Sequence, residues 1–270
     1  MKQIMLAIAM TIMMLSCQSE KRGDKLVDSA NKTVMNITDS LVYHYDSVKV
    51  YSKNPLSVNP QVTDTAKAVI SYPVFADEAL DKFALDKVLN TSGPDVRYKS
   101  YDEYANAFMR SFDDFQAKNK DRIQTWFLNI NTKVARQKGN YVSLLTTYVN
   151  FSGGAHPNSA FTYANYDFAN HKEIQLDSLI KPGSLEILNS IGEKIFRKNE
   201  KIGAAESLKD KYFFENDRFQ LNRNFTVTDK GLLFLYNPYE IKAYAFGTTE
   251  LLIPFSDLRE IARPNSLLSN

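Results

Sequence analysis

Apolar and polar positions change their period along the chain, and the period sorts the segments into elements. Ile4 to Leu15 is an almost unbroken apolar run between Met1-Lys2-Gln3 and Ser16-Cys17. A bilayer span takes about 20 apolar residues, so this run is too short to cross one. Its positive start, apolar middle and small residue before the cut predict a cleavable signal peptide over 1–16. Polar residues dominate from Gln18 to about Asn36, which predicts a flexible tether over 17–40. Tyr43–Tyr51 alternates as a strand, and Ala66–Tyr72 reads as another that ends at Pro73. From Asp77 to Asn90 the period becomes helical, with Leu80, Phe83, Ala84 and Val88 on one face. Thr91-Ser92-Gly93-Pro94 stops that helix.

The cleanest amphipathic helix follows. Tyr101, Tyr104, Ala105, Phe108, Phe112 and Phe115 make one face, and Asp102, Glu103, Arg110, Asp113 and Asp114 mark the other. Such an aromatic stripe packs on a sheet. Gln124–Arg136 and Asn140–Phe151 read as strands joined by a turn at Gln137-Lys138-Gly139-Asn140. After the break at Ser152-Gly153-Gly154-Ala155-His156-Pro157, alternation resumes from Asn158 to Phe168. A turn at Asn170-His171-Lys172 leads to a short strand, Glu173–Leu176. Ser184 is placed to cap a helix with Leu185, Leu188, Ile191 and Ile195, and the charged stretch Lys194–Arg218 reads as helix with exposed faces. Phe225–Thr228, Leu232–Tyr236 and Glu250–Ile253 read as late strands, and Ser256–Ala262 as a closing helix. Strands joined by hairpins, with helices between the groups, predict an α+β fold. It has a largely antiparallel sheet, helices packed on one face and two intimately joined subdomains, 41–165 and 166–270.

Composition removes several chemistries. The chain has 270 residues, 33 Lys+Arg against 31 Asp+Glu, and a formal net charge of +2, so no basic face for nucleic acid is expected. Loss of Lys2 with the signal brings the folded part closer to neutral. One cysteine excludes an internal disulfide and a cysteine-rich zinc site. That cysteine sits at the cleavage point. Met14-Leu15-Ser16-Cys17 resembles a bacterial lipobox, which implies lipidation of the Cys17 thiol and attachment to a membrane, with Gln18 compatible with the outer one. Acyl chains anchor because each buried CH₂ contributes about 0.8 kcal/mol.

His44, His156 and His171 are the three histidines, and none has a partner at metal-ligand spacing, so no metal is expected. No nucleophile elbow or phosphate loop occurs, and no cofactor or catalytic residue is assigned. Ser152 beside His156 leaves a Ser–His pair open, although Gly153-Gly154 and Pro157 suit a sharp reversal better. Asp-Ser/Thr-aliphatic tripeptides recur, at Asp46, Asp64 and Asp177 among others; they resemble the O-glycan acceptors of some bacterial envelope proteins, and the reading as turns and caps is favoured over glycosylation. Two segments stand out, Tyr148–Asn158 and Leu232–Gly247. In the second, Glu240 lies between Tyr239 and Tyr244. It can be a buried acid with a raised pKa, or it can accept backbone N–H groups and pin the loop.

Together these segments resemble the RsiV-like envelope domain family, comprising the domains of unknown function 3298 and 4163. The resemblance rests on Gly153-Gly154-Ala155-His156, on Tyr166–Lys172 with Leu176-Asp177-Ser178-Leu179-Ile180, on Tyr239-Glu240-Ile241 with Tyr244 and Gly247, and on Ile253-Pro254-Phe255-Ser256-Asp257-Leu258. It covers about residues 66–262. It implies an extracytoplasmic module, held by a lipid anchor, that recognises a lysozyme-like protein or peptidoglycan. Gly153, Gly154, His156, Tyr239, Glu240 and Tyr244 are the implied binding residues. An envelope hydrolase and a purely structural lipoprotein are the alternatives. The anti-sigma and deacetylase roles found in the family are not expected here, because no sigma-binding segment, transmembrane helix or deacetylase motif is read in the sequence.

Overall fold

The computed structural model describes residues 41–59, 62–93, 96–121 and 124–269. The expected signal peptide, Cys17 and the tether lie outside the described residues. In chain order the elements are β1 (Tyr43–Tyr51), β2 (Leu56–Asn59), β3 (Val62–Asp64), β4 (Lys67–Phe75), α1 (Glu78–Leu89), α2 (Tyr101–Lys118), β5 (Phe127–Lys138), β6 (Tyr141–Phe151), β7 (Asn158–Asp167), β8 (Lys172–Glu173), α3 (Leu176–Leu179), α4 (Leu185–Glu200), β9 (Phe225–Val227), β10 (Gly231–Tyr236), β11 (Thr249–Pro254) and α5 (Phe255–Leu258). The fold is α+β. The large sheet runs β1-β4-β5-β6-β7-β8, the small one runs β9-β10-β11, and β2–β3 is a separate hairpin. All neighbours in the large sheet are antiparallel except β4 and β5, which are parallel and joined through α1 and α2.

Local chemistry starts the helices. The Asp77 carboxylate accepts the Leu80 N–H at 2.8 Å and the Ser100 hydroxyl accepts that of Glu103 at 3.1 Å, so both α1 and α2 are capped by side chains. The aromatic face of α2 packs as its spacing predicts. Phe112 is fully buried and meets Trp126, as do Phe108 and Phe115, beneath Ile70, Leu128 and Ile130 of the sheet. A side chain such as Phe112 contributes about 1.5–3 kcal/mol by burial.

Beyond β5, the sheet is covered on both faces. Val142 and Leu144 of β6 pack with Leu80 and Ala84 of α1. The alternate residues, Tyr141 and Ser143, point the other way and reach Thr226 of β9. The small sheet, with α4 against β11, builds its own core around Leu188, Phe196, Phe234 and Ile253.

The closing helix expected over Ser256–Ala262 is only Phe255–Leu258, and four further features differ from the sequence reading. Strand β4 runs through Pro73 to Phe75. Pro73 lies past the last residue paired with β5 and opposite Tyr45 in a pair that exchanges no hydrogen bonds, so its missing N–H costs no ladder bond. The expected strand Glu173–Leu176 is only Lys172–Glu173, and Leu176 opens α3 instead. The Ser184 side chain makes no capping bond. Helix α4 stops at Glu200, where Lys201 turns left-handed at φ 58°, so of the helix expected over 194–218 only a single 3-10 turn at Glu215–Asp217 follows. Leu208, Tyr212 and Phe219 fall at helical spacing and are buried, yet Lys201, Asn216 and Asp217 all hold positive φ and break the helix, so these side chains reach the core from an irregular stretch. Arg197 holds the turn through the Gly203 and Glu206 carbonyls at 2.9 and 2.8 Å.

Candidate functional site

The turn 152–157 joins β6 to β7, and the loop 237–247 joins β10 to β11. Gly153 and Gly154 hold φ of 112° and 106°, which side chains with a Cβ rarely adopt, so the reversal requires glycine. The structure brings the two segments together. The His156 ring stacks on Tyr244 with centroids 3.9 Å apart and planes at 17°. Its Nδ1 lies 2.9 Å from the Pro157 carbonyl, which can only accept, so Nδ1 carries the proton. In the neutral ring Nε2 then accepts the Tyr239 hydroxyl at 3.3 Å. The Tyr244 hydroxyl donates to the same Pro157 carbonyl at 3.1 Å. Ser152 is not among the partners of His156, so no Ser–His pair forms.

Glu240 is exposed rather than buried. Its two carboxylate oxygens accept the Asn237 N–H and the Asn222 amide, each at 2.7 Å. The acid is therefore not the buried one considered from the sequence; it pins its own loop. The nearby Tyr236 phenol is pushed up instead, by burial first and then by the Glu240 charge.

Three asparagines anchor the loop, and sequence reasoning missed two of them as well as the role of the third. Asn237 accepts the Phe161 N–H of β7 at 2.6 Å, and Asn224 accepts that of Tyr163 at 2.8 Å. The Asn224 amide returns to the Phe161 carbonyl at 2.8 Å, and Asn222 holds the Leu235 carbonyl at 2.7 Å. Strand β8 pairs only with the end of β7, so these amides satisfy backbone groups that would otherwise face outward. The short polar run Leu221-Asn222-Arg223-Asn224 before a strand is the signal that was available.

The assembled surface is aromatic and open. Tyr239 is 57% exposed, Phe246 72% and Phe213 57%, and the Phe213 N–H bonds the Ile241 carbonyl within the same loop at 3.1 Å. Tyr239 holds φ at 68°, a costly conformation for an aromatic residue, and it keeps the phenol above the His156–Tyr244 stack. This arrangement lacks a nucleophile and a paired carboxylate. It offers ring faces edged by hydroxyl and imidazole groups. His44 lies in β1 and His171 in the β7–β8 turn, away from this cluster in the chain's topology; among the described residues no group of three or more His, Cys, Asp or Glu could hold a metal.

Comparison with known proteins divides the chain in two. Residues 60–159 match the family described as Deacetylase PdaC, and residues 177–256 match the family described as a protein of unknown function, DUF3298. The immunogenic proteins MPB64 of Mycobacterium bovis and MPT64 of Mycobacterium tuberculosis are 26% identical over 164 residues, 58% of this chain and 69% of theirs. Peptidoglycan-N-acetylmuramic acid deacetylase PdaC of Bacillus subtilis is 23% identical over 205 residues, 74% of this chain but only 39% of that enzyme. Two solved structures share the fold. A DUF3298 family protein from Pseudomonas aeruginosa has a TM-score of 0.69 at 22% identity, covering 84% of this chain and 97% of its own. A DUF3298 member from Bacteroides fragilis has a TM-score of 0.66 at 20% identity, covering 84% and 96%. The chain therefore carries a DUF3298 domain behind a PdaC-like segment, and these solved neighbours are DUF3298 family members.

Proposed function

We propose that this chain is a lipid-anchored cell-envelope protein that recognises the glycan of peptidoglycan through the face formed by Tyr239, Tyr244 and His156. The observation that carries this reading is Tyr239 itself, exposed, aromatic and held at positive φ over a stacked pair. A pyranose presents a face of C–H groups ringed by hydroxyls. Exposed tyrosine suits that face, with an apolar ring and a polar tip. The PdaC-like segment supports the choice of ligand, because the named relative acts on peptidoglycan N-acetylmuramic acid. The anchor at Cys17 rests on Met14-Leu15-Ser16-Cys17. Recognition here needs no catalytic group.

Sedimentation with insoluble peptidoglycan tests the reading. The native chain co-sediments, and Tyr239→Ala weakens retention by roughly threefold to tenfold, the value of one aromatic contact. Its melting temperature stays unchanged, because the side chain is mostly outside the core. No sedimentation of the native chain, or equal retention of the variant, would refute the proposal. Retention of lysozyme by this same face would replace the glycan with a protein partner. For the anchor, Cys17→Ser should move the protein from the membrane to the soluble fraction.

A further inference from the structure

A concavity of some size lies elsewhere. It holds about 690 Å³, within the range of about 300–1,000 Å³ for small-ligand sites. Three chain reversals meet around it: the β5–β6 turn, the β7–β8 turn and the C-terminal segment at Asn265, whose φ is 61°. Buried Tyr141 and Leu179 supply apolar lining.

Its charges are unevenly satisfied. Glu173 is neutralised by Lys87 at 2.7 Å, and the Asp167 carboxylate is occupied by the Asn170 amide at 2.7 Å. The ammonium groups of Lys138 and Lys172 make no hydrogen bond or ion pair among the described residues, and neither do the amides of Asn140 and Asn265. Asp229, which feels the charge of Lys138, is already held by both terminal nitrogens of Arg136. The cavity therefore combines two lysines outside any ion pair, the Asp167 carboxylate held only by a neutral amide and opposite Lys172 in the strand pair, two amides without a partner among the described residues, and an apolar lining.

We infer that this cavity binds a small carboxylate-bearing ligand with neighbouring amide or hydroxyl groups, the carboxylate lying between Lys138 and Lys172. Ammonium-to-carboxylate bonds are charge-assisted, and two cations beside one concavity add their attraction to a single carboxylate. The carboxylate belongs either to a sugar acid or to a peptide terminus. The inference is independent of the aromatic face.

Isothermal titration of the full chain with three probes decides it. N-acetylmuramic acid carries a sugar carboxylate, N-acetyl-D-alanyl-D-alanine carries a peptide carboxylate, and N-acetylglucosamine carries none. One of the two acids should bind, and which one identifies the source. N-acetylglucosamine should bind about tenfold more weakly or not at all, the loss of one charged contact. The variant Lys138→Gln/Lys172→Gln should weaken the acid by a similar factor. In the native chain, added salt should weaken binding, a readout that does not depend on the variant folding. The inference is overturned if neither acid binds or if the neutral sugar binds equally well. It also falls if salt and the lysine variant change nothing.

Discussion

Tyr141 joins the two sheets, and its hydroxyl can be removed without changing the shape of the core. The residue is 2% exposed. Its hydroxyl donates to Asn165 Oδ1 at 2.6 Å, accepts the Val227 N–H at 2.9 Å and lies 3.0 Å from Thr226 Oγ1. Val227 faces away from β10, because β9 exchanges its ladder bonds through Thr226, so that N–H has no other acceptor. In Tyr141→Phe, Thr226 keeps the Ser143 hydroxyl at 2.8 Å, but the Val227 N–H and Asn165 Oδ1 are left bare. Each orphaned buried group costs about 1–3 kcal/mol, which gives about 2–5 kcal/mol in all. For a chain of this size that lowers the melting temperature on the order of 10 °C. Urea unfolding of native and variant chains measures it, with the slope expected to stay constant. Tyr166→Phe is the control. Tyr166 is 3% exposed, yet its hydroxyl makes no hydrogen bond among the described residues, so its loss should cost under about 1 kcal/mol. Equal effects at the two positions would show that the seam is not held by this hydroxyl.

Gly231 sits at φ 152°, and a Cβ there would lie 2.0 Å from the Ile253 carbonyl oxygen, so Gly231→Ala should cost about 3 kcal/mol or more. Gly139→Ala, at φ 55° with open space around it, should cost only about 1 kcal/mol by chemical denaturation; a reversed order would refute the close approach. The buried hydroxyls of Thr132 and Thr146 meet at 2.8 Å, so Thr132→Val alone should destabilise by about 1–3 kcal/mol while the double valine variant comes back near native stability. A double variant that costs the sum of the singles would count against this pairing. Burial raises the phenols of Tyr101, Tyr104, Tyr141, Tyr148 and Tyr236 above their ordinary value of 10.0. The unfolded chain therefore loses these protons first, so stability should hold below about pH 10 and fall as pH rises beyond it. Melting curves that are flat across that window would exclude the effect.

Much of the α+β fold is legible because its elements carry strong periods. The stripe from Tyr101 to Phe115 and the alternation in Asn158–Phe168 can each be satisfied by one geometry only. The parallel pairing of β4 with β5 depends instead on how α1 and α2 cross the sheet, which no local pattern encodes. The strand beyond Pro73 was hidden because a missing N–H matters only where a neighbour would accept it. Residues 201–218 look helical both by charge and by the spacing of Leu208, Tyr212 and Phe219, but left-handed residues at Lys201, Asn216 and Asp217 break the helix, and no local pattern marks them. Of the candidate residues, Gly153, Gly154 and His156 come together with Tyr239 and Tyr244, a meeting across more than 80 positions that only tertiary structure shows. Glu240 falls in the same loop as a brace. Asn224 and Asn222 drew no notice because a lone asparagine is ordinary, and only its backbone partners distinguish it.

Those amides form half of a reciprocal arrangement. Asn224 and Asn237 close the open edge of β7, while Tyr141 and Asn165 close the open edge of β9 by taking the Val227 N–H and the Phe225 carbonyl. The PdaC-like match ends at residue 159, just inside β7, and the DUF3298 match begins at 177. A cut between them would leave each half with a strand edge that templates aggregation. The two segments are consequently poor parts for exchange between proteins one at a time, and an expression fragment that keeps either should keep both.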